Sequence, residues 1–298
     1  MNGRSNLTPA LLAAPSLVVY AGALLLPLGG VLLLSLHGFD FEKGILPGWG
    51  LENYRDLLTD SLFAESLLRT LRIALWTTAI CLLVGVPEAW IIYRMAPRWR
   101  GAMLLIVVGP LLVSVVVRNF GWMVLLGTTG LVNQVLTILG VPGAPFRLMF
   151  TELAVVIGLV HVMVPLVVLS VWASLGRLDP VLERAAFSLG ASRLTVFRRV
   201  VLPNVMPGIM AGALMVFCLS ASAFATPAML GGKRLKVVSS MTYNEFLNTL
   251  NWPLGAALAT LLMVAILTAT LIWTRFVETR AMRRLGEVAE GGKGGSRA

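Results

Sequence analysis

Hydrophobic positions in this chain fall into six long runs separated by shorter polar segments. The runs cover roughly residues 10–36, 72–93, 101–126, 152–175, 205–227 and 254–275. Each is long enough to cross a bilayer, which takes about 20 mostly apolar residues in a helix. Helix is the expected form, because backbone groups in lipid must be hydrogen-bonded within the segment and no run shows strand-like alternation. The pattern predicts an all-α integral membrane protein with about six transmembrane helices.

The composition supports this prediction and excludes several classes of protein. Of 298 residues, 57% are hydrophobic and only 13% are charged, whereas soluble domains average nearer a quarter charged. The net charge of +10 does not indicate nucleic-acid binding, because the basic residues lie between the apolar runs, where membrane proteins carry them. We therefore expect this chain to contact a lipid bilayer and no nucleic acid.

Charge is distributed unevenly over the polar segments. The segment 38–65 is mainly acidic, whereas the segments 94–100 and 177–203 and the residues after 275 are mainly basic. Because cytoplasmic loops carry an excess of Lys and Arg, this distribution places both termini and the basic loops in the cytoplasm. The segment 127–145 is expected to form a short helix on the outer surface.

Catalytic machinery is not apparent in the sequence. The stretch EGGKGG at 290–295 lacks the spacing and the hydroxyl residue of a phosphate-binding loop. GASR at 190–193 lacks the second glycine of a nucleophile elbow. Neither the two histidines nor Cys81 and Cys218 are spaced as metal ligands. We expect no enzymatic activity, no metal and no cofactor bound by this chain.

One charged segment, LERAAFSLGASRLTVFRRVVLPNVMPG at 182–208, interrupts the apolar pattern. Asp179-Pro180 is typical of a helix start and Gly190 of a helix end. A second short helix, Arg193–Val201, is expected to end at Leu202-Pro203, because proline disfavours continuation. Two short helices at a bend would project into the cytoplasm and form a docking surface for a partner protein.

The same segment resembles a signature of binding-protein-dependent ABC importers, whose membrane subunits carry E-A-A, three residues, G, nine residues and I-x-L-P in a cytoplasmic loop. Aligned on Gly190, this chain has Arg184-Ala185-Ala186 and Val200-Val201-Leu202-Pro203 at those positions. Arg184 replaces the family's Glu, and Glu183 lies one residue early, about 100° away on a helix. The resemblance implies that residues 177–203, the docking segment, contact a cytoplasmic ATPase, with Ala186 against its surface. The residues implied are Glu183, Arg184, Ala185, Ala186, Gly190, Val200, Leu202 and Pro203.

Four further stretches are similar to the spermidine/putrescine-type permease subfamily: GLENYRDLLTD (50–60), PLLVSVVVRNFGWMVLLG (110–127), GLVN (130–133) and FATPAMLGG (224–232). The resemblance implies a type I importer permease fold, with residues 1–298 as a single transmembrane domain in a bacterial inner membrane. The implied partners are an ATPase dimer that holds ATP and Mg, a second permease subunit expected to be a paralogue, and an extracytoplasmic solute-binding protein. The implied solute is polyamine-like, with an amino-acid-like, opine or phosphonate solute as the alternative.

Polar residues within the apolar runs are candidate pathway residues, because charged groups in spans usually face protein or a water-filled cavity. The set comprises Arg118, Asn119, Ser222, Thr226, His161 and Glu88. Interfacial snorkelling explains Arg118 and Asn119 equally well, and helix packing explains the hydroxyl residues. Glu88 is expected to pair with Arg94, with cavity lining as the alternative. His161 is expected to be a packing residue.

A self-contained secondary transporter is the remote alternative to an ABC importer. Such a protein would be expected to show inverted repeats, broken helices and intramembrane carboxylates. The runs offer Glu88 as a carboxylate, and no convincing repeat is apparent. The sequence therefore favours the importer subunit.

Overall fold

The computed structural model describes residues 7–294, with side chains described for residues 14–275. Residues 1–6 and 295–298, which include both termini that the charge pattern places in the cytoplasm, lie outside this description. Apart from one two-stranded hairpin, the regular secondary structure of the described part is helical, and this confirms the predicted all-α class.

The helices and strands are numbered in their order along the chain. The first described element is α1 (Leu7–Leu34), and a hairpin of β1 (His37–Asp40) and β2 (Gly44–Trp49) follows it. Next come α2 (Glu52–Thr59), α3 (Ser61–Arg94), α4 (Pro97–Leu112), α5 (Val115–Leu126) and α6 (Leu131–Ile138). The remaining helices are α7 (Glu152–Leu175), α8 (Pro180–Ser188), α9 (Arg193–Val196), α10 (Leu202–Ser222), α11 (Val238–Leu247) and α12 (Trp252–Gly294). Two wide π-helical turns occupy Phe197–Val201 and Pro227–Gly231.

Six helical stretches of the described chain are long and apolar enough to cross a membrane. They are Ala14–Leu34, Ser61–Arg94, Val115–Ile138, Glu152–Leu175, Arg193–Ser222 and Trp252–Arg275. Each overlaps a predicted run, but the third region is divided differently from the prediction. A single helix over 101–126 is wrong, because α4 ends at Leu112 and α5 begins at Val115. Pro110 contributes to the break, since it removes one backbone donor from the last turn of α4.

The internal contacts of the chain divide it into two compact units. That residues 1–298 form a single transmembrane domain stays a prediction. The first unit comprises residues 1–65 and 238–264. In it, the amide of Asn53 on α2 donates to the carbonyls of Ser35 and His37 at 2.9 and 2.8 Å. The hydroxyl of Tyr54 lies 2.6 Å from that of Ser35. These bonds attach α2 to the end of α1 and the start of the hairpin.

The second unit comprises residues 66–237 and 265–298, and its core forms around α7. One apolar cluster joins the later part of α7 to α3, α8 and α10, and another joins its start to α5 and the second wide turn. The α7–α10 contact is close, because a Cβ at Gly212 would lie 3.2 Å from the Cα of Val167. The hydroxyl of Ser170 on α7 donates to the carbonyl of Gly208 on α10 at 2.8 Å. Small residues and an interhelical hydrogen bond are typical of helix packing in membranes.

Candidate functional site

The docking segment begins and turns as the sequence predicts. A carboxylate oxygen of Asp179 accepts from the backbone N–H of Val181 at 2.8 Å, which caps the start of α8. At the other end, the N–H of Gly190 donates to the carbonyl of Phe187 at 2.9 Å, and that of Ala191 donates to Ala186 at 3.1 Å. This pair of bonds is a Schellman motif, which requires the left-handed φ of +79° at Gly190.

The second short helix does not end at proline, and that prediction is wrong. Helix α9 continues through the wide turn at Phe197–Val201 into α10, so Arg193–Ser222 forms one helical stretch. In the wide turn, the N–H of Leu202 bonds to the carbonyl of Phe197, five residues earlier. Pro203 follows directly. Because the hydrogen-bond register changes in the wide turn, the helix tolerates both the missing N–H donor of Pro203 and its ring. The docking segment is therefore continuous with the fifth candidate span.

One face of α8 is turned into the protein. Glu183 is only 8% exposed, and its carboxylate accepts from the guanidinium of Arg94 at 2.6 Å. Ala186, three residues on, is half-buried against the core cluster around α7. Residues three apart share a helix face. Ala186 therefore packs partly on its own chain, and the expectation that it also lies against a partner protein stays a prediction.

The opposite face of α8 is exposed and mostly apolar. Arg184 and Ala185 are exposed, as are Val181 and Leu182, and Leu189 has 88% of its surface accessible. Farther along the docking segment, Val200 and Leu202 are half-buried and Pro203 is exposed. The docking segment thus presents an apolar stripe with a guanidinium beside it, a surface suited to burial against another protein.

An aromatic cluster surrounds the Arg94–Glu183 ion pair. The guanidinium of Arg94 lies 4.3 Å from the centre of the Trp90 ring, on the last turn of α3. The Trp90 ring contacts Tyr93, with ring centres 5.9 Å apart, and Phe197, with ring centres 5.4 Å apart. Because Phe197 begins the wide turn, this cluster joins the end of α3 to the docking segment.

Glu88 does not pair with Arg94, so that prediction is wrong. Arg94 binds Glu183, and among the described residues Glu88 forms no ion pair. The reason is helical geometry: six residues separate Glu88 from Arg94, whereas side chains on one face are three or four residues apart. Glu88 is half-buried on α3 and remains available to line a pathway.

Arg118 is buried at the break between α4 and α5. It is 7% exposed, and one of its guanidinium nitrogens donates to the carbonyl of Pro110 at 2.9 Å and to that of Val113 at 3.3 Å. These carbonyls belong to the end of α4, where the helix dipole is negative and backbone acceptors lack partners. Arg118 therefore caps a broken helix and does not snorkel.

Asn119 and Thr226 form a buried polar contact. Asn119 is fully buried, and its amide lies 3.3 Å from the hydroxyl of Thr226 and 3.6 Å from the sulfur of Met229. The contact connects α5 to the second wide turn. The structure thus brings Asn119 and Thr226 together in a packed interior, where they stabilise the helix arrangement.

His161 and Ser222 lie on exposed surfaces. The indole N–H of Trp122 donates to Nδ1 of His161 at 3.2 Å, with the two rings edge to face. The hydroxyl of Ser222 donates to the carbonyl of Cys218 at 2.9 Å within α10. His161 is exposed but has a hydrogen-bond partner in Trp122, and its interpretation as a satisfied packing residue stays a prediction.

Sequence reasoning missed the partner of Glu183 and the role of Arg118. The position of Glu183, one residue before the place where the family has its Glu, was the available signal for its partner. A shift of one residue on a helix makes Glu183 face away from Arg184. Pro110, eight residues before Arg118, was the signal for the second. Within the described residues, no cluster of three or more His, Cys, Asp or Glu side chains is arranged to hold a metal ion.

Comparison with known proteins shows which family this chain belongs to. Residues 74–283 match the family described as binding-protein-dependent transport system inner membrane component. The spermidine/putrescine transport system permease protein PotB of Escherichia coli is 36% identical over 76% of this chain and 82% of its own length. The PotB protein of Haemophilus influenzae is 35% identical over 80% of this chain and 82% of its own length.

Solved structures support the fold at lower identity. A chain from a bacterial alginate ABC transporter, in complex with an alginate pentasaccharide-bound periplasmic protein, has a TM-score of 0.72 at 19% identity and covers 93% of this chain and 96% of its own. A chain from an inward-facing methionine ABC transporter has a TM-score of 0.55 at 16% identity, covering 72% and 94%. The chain therefore belongs to the inner membrane components of binding-protein-dependent transport systems and is a multi-pass permease subunit of an ABC importer.

Proposed function

We propose that this permease subunit forms part of the translocation pathway for a polyamine or a similar small organic cation. The observation that carries the proposal is 36% identity over 76% of the chain to a spermidine/putrescine transport permease. The solved structures support the fold alone, since transporters of acidic alginate and of methionine share it. Sequence similarity over most of the chain is therefore the better guide to the solute.

The charges of the described spans are consistent with a cationic solute. Arg118 would repel a polyamine if it faced the pathway, but its guanidinium is directed at the carbonyl groups that end α4. Glu88 is a half-buried carboxylate on α3 without an ion-pair partner among the described residues. A carboxylate of this kind would attract an ammonium group through a charge-assisted hydrogen bond. We assign Glu88 as the first residue to test in the pathway.

The exposed face of α8 is proposed as the contact for a cytoplasmic ATPase dimer. Val181, Leu182, Ala185 and Leu189 would bury apolar surface, and Arg184 would meet an acidic group of the ATPase. ATP and Mg would be bound by that partner, and this chain would have no ATPase activity of its own. A second permease subunit, a paralogue in this proposal, would complete the pathway, and an extracytoplasmic binding protein would deliver the solute. Both termini would then face the cytoplasm with the docking segment.

Reconstitution tests the solute and the docking surface together. The complex of both permeases and the ATPase, in vesicles with the cognate binding protein, should accumulate radiolabelled putrescine or spermidine when ATP is supplied on the ATPase side. ATP-driven uptake of an anionic solute without uptake of either polyamine would contradict the proposed solute. The permease purified without the ATPase should not hydrolyse ATP.

Ala185→Trp tests the docking face in the same preparation. We expect about tenfold weaker ATPase association, because a large side chain at a closely packed interface separates the two surfaces. Ala96→Trp is the matched control, since Ala96 is also exposed and lies in a basic loop outside the docking segment. Equal association in both variants would place the ATPase elsewhere.

A further inference from the structure

The docking segment is connected to the spans by two different kinds of link. Toward α10 the link is the helix itself, because Arg193–Ser222 is one helical stretch. Toward α3 no backbone connects the elements, since four further helices lie between α3 and α8 along the chain. Helix α8 packs mainly on α9 and on the wide turn at Phe197–Val201. A movement of α8 would therefore reach α7 and α10 along the backbone and would reach α3 only through side chains.

The Arg94–Glu183 ion pair is a direct side-chain link between α8 and the end of α3. Its N···O distance is 2.6 Å, and Arg94 is the last residue of α3, so the bond acts on the end of that helix. The carboxylate of Glu183 is almost fully buried, and its second oxygen has no hydrogen-bond partner among the described residues. A buried carboxylate that loses its ionic partner is strongly destabilised. Arg94 and Glu183 will therefore tend to stay together when either helix moves.

The aromatic cluster limits sliding at this joint. Trp90 lies beneath the guanidinium of Arg94 at 4.3 Å and against Phe197 at 5.4 Å between ring centres. The guanidinium of Arg94 thus contacts the Trp90 ring with one face and the Glu183 carboxylate with its edge, and these two contacts fix its orientation. Contacts of this kind between a cation and an indole contribute more when they are partly desolvated.

We infer that Arg94 and Glu183 form a positioning pair that transmits movement of α8 to α3. In this inference Glu183 links two helices of its own chain and does not contact the ATPase. Arg184 and Ala185, on the exposed face of α8, contact the ATPase instead. The inference rests on the proposed docking of an ATPase at α8. It assigns separate tasks to the two adjacent residues Glu183 and Arg184.

Spin labels on the two spans test the inference. In a Cys81→Ala, Cys218→Ser background, a nitroxide is attached at Leu83→Cys on α3 or at Leu219→Cys on α10, both exposed positions. The assembled complex is trapped with ATP and vanadate, and the EPR spectrum of each label is compared with the nucleotide-free state. In the parent complex both labels should respond to trapping. In Glu183→Arg and in Arg94→Glu, the response at Leu83→Cys should fall about tenfold, within the usual range of coupling between sites, while the response at Leu219→Cys is kept.

The charge-swapped double variant, Arg94→Glu with Glu183→Arg, should restore at least part of the response on α3. Arg98→Glu is the matched control, because Arg98 is an exposed arginine in the first turn of α4 without an ion pair among the described residues, and it should leave both responses unchanged. An unchanged response on α3 in the single variants would overturn the inference, and so would a swap without any restoration. Loss of the α10 response in the single variants would also overturn it, since the pair would then only maintain the fold of α8. Failure of the ATPase to copurify with the parent complex would instead count against the proposed function.

Discussion

Two helix interruptions in this chain are stabilised in different ways. Between α4 and α5, the buried guanidinium of Arg118 donates to the carbonyls of Pro110 and Val113. Between α8 and α9, the backbone of Gly190 and Ala191 closes the end of α8, and the hydroxyl of Ser192 accepts from the N–H of Thr195 at 3.3 Å. The first break lies in an apolar run and the second in a charged, exposed segment. A helix end without water nearby needs a strong internal donor, whereas an exposed one needs only a permissive backbone and a small polar cap.

The largest effect is expected from removing the donor at the apolar break. Arg118→Met should destabilise the protein by about 3 kcal/mol, because two backbone acceptors lose a charged donor in a buried site. The yield of monodisperse permease complex and its thermal unfolding temperature would measure the loss. Arg147→Met is the control, since Arg147 is exposed. If both variants unfold at the parent temperature, the α4–α5 break does not depend on Arg118.

An intermediate effect is expected at Gly190. Gly190→Val should weaken ATPase association and uptake through a strain of about 2 kcal/mol, because β-branched residues rarely adopt a positive φ. A Cβ at this position would have no heavy atom within 4 Å beyond its chain neighbours, so the strain would come from the backbone alone. Gly190→Asn should retain most activity, since Asn tolerates the left-handed region. Equal loss in both variants would mean that side-chain volume, not φ, is limiting at this turn.

The smallest effect is expected from the cap at the exposed break. Ser192→Ala removes the acceptor for Thr195 and should cost about 1 kcal/mol, the usual value for a helix N-cap. Because water can replace the lost bond, membrane insertion should be unchanged and ATPase association only slightly weaker. A loss as large as that from Arg118→Met would remove the distinction between the two breaks.

The sequence predicts the parts of this fold that depend on local pattern. The membrane runs follow from apolar length, and the bounds of α8 follow from Asp179, Pro180 and Gly190, whose preferences act within one helical turn. The sequence also indicates the importer family through the spacing from Ala185 to Pro203. These signals need no knowledge of distant contacts.

Two of the contacts that sequence reasoning missed depend on neighbours far along the chain. Glu183 is 89 residues from Arg94, so their pairing follows only from the packing of α8 against the end of α3. Asn119 and Thr226 are separated by 107 residues and meet through α5 and the second wide turn. The passage of a helix through Pro203 depends on a local change of hydrogen-bond register, which residue preferences do not reveal.

The wide turn at Phe197–Val201 also fixes an angle. A π turn contains one residue more than an α turn, and one residue corresponds to about 100° of rotation around a helix. Along the chain, the apolar stripe of α8 comes before this extra residue and the buried face of α10 comes after it. Shortening the turn by one residue would leave both surfaces chemically intact but rotated against each other. The angular register between the exposed face of α8 and the fifth candidate span therefore depends on the number of residues in the wide turn, Phe197–Val201.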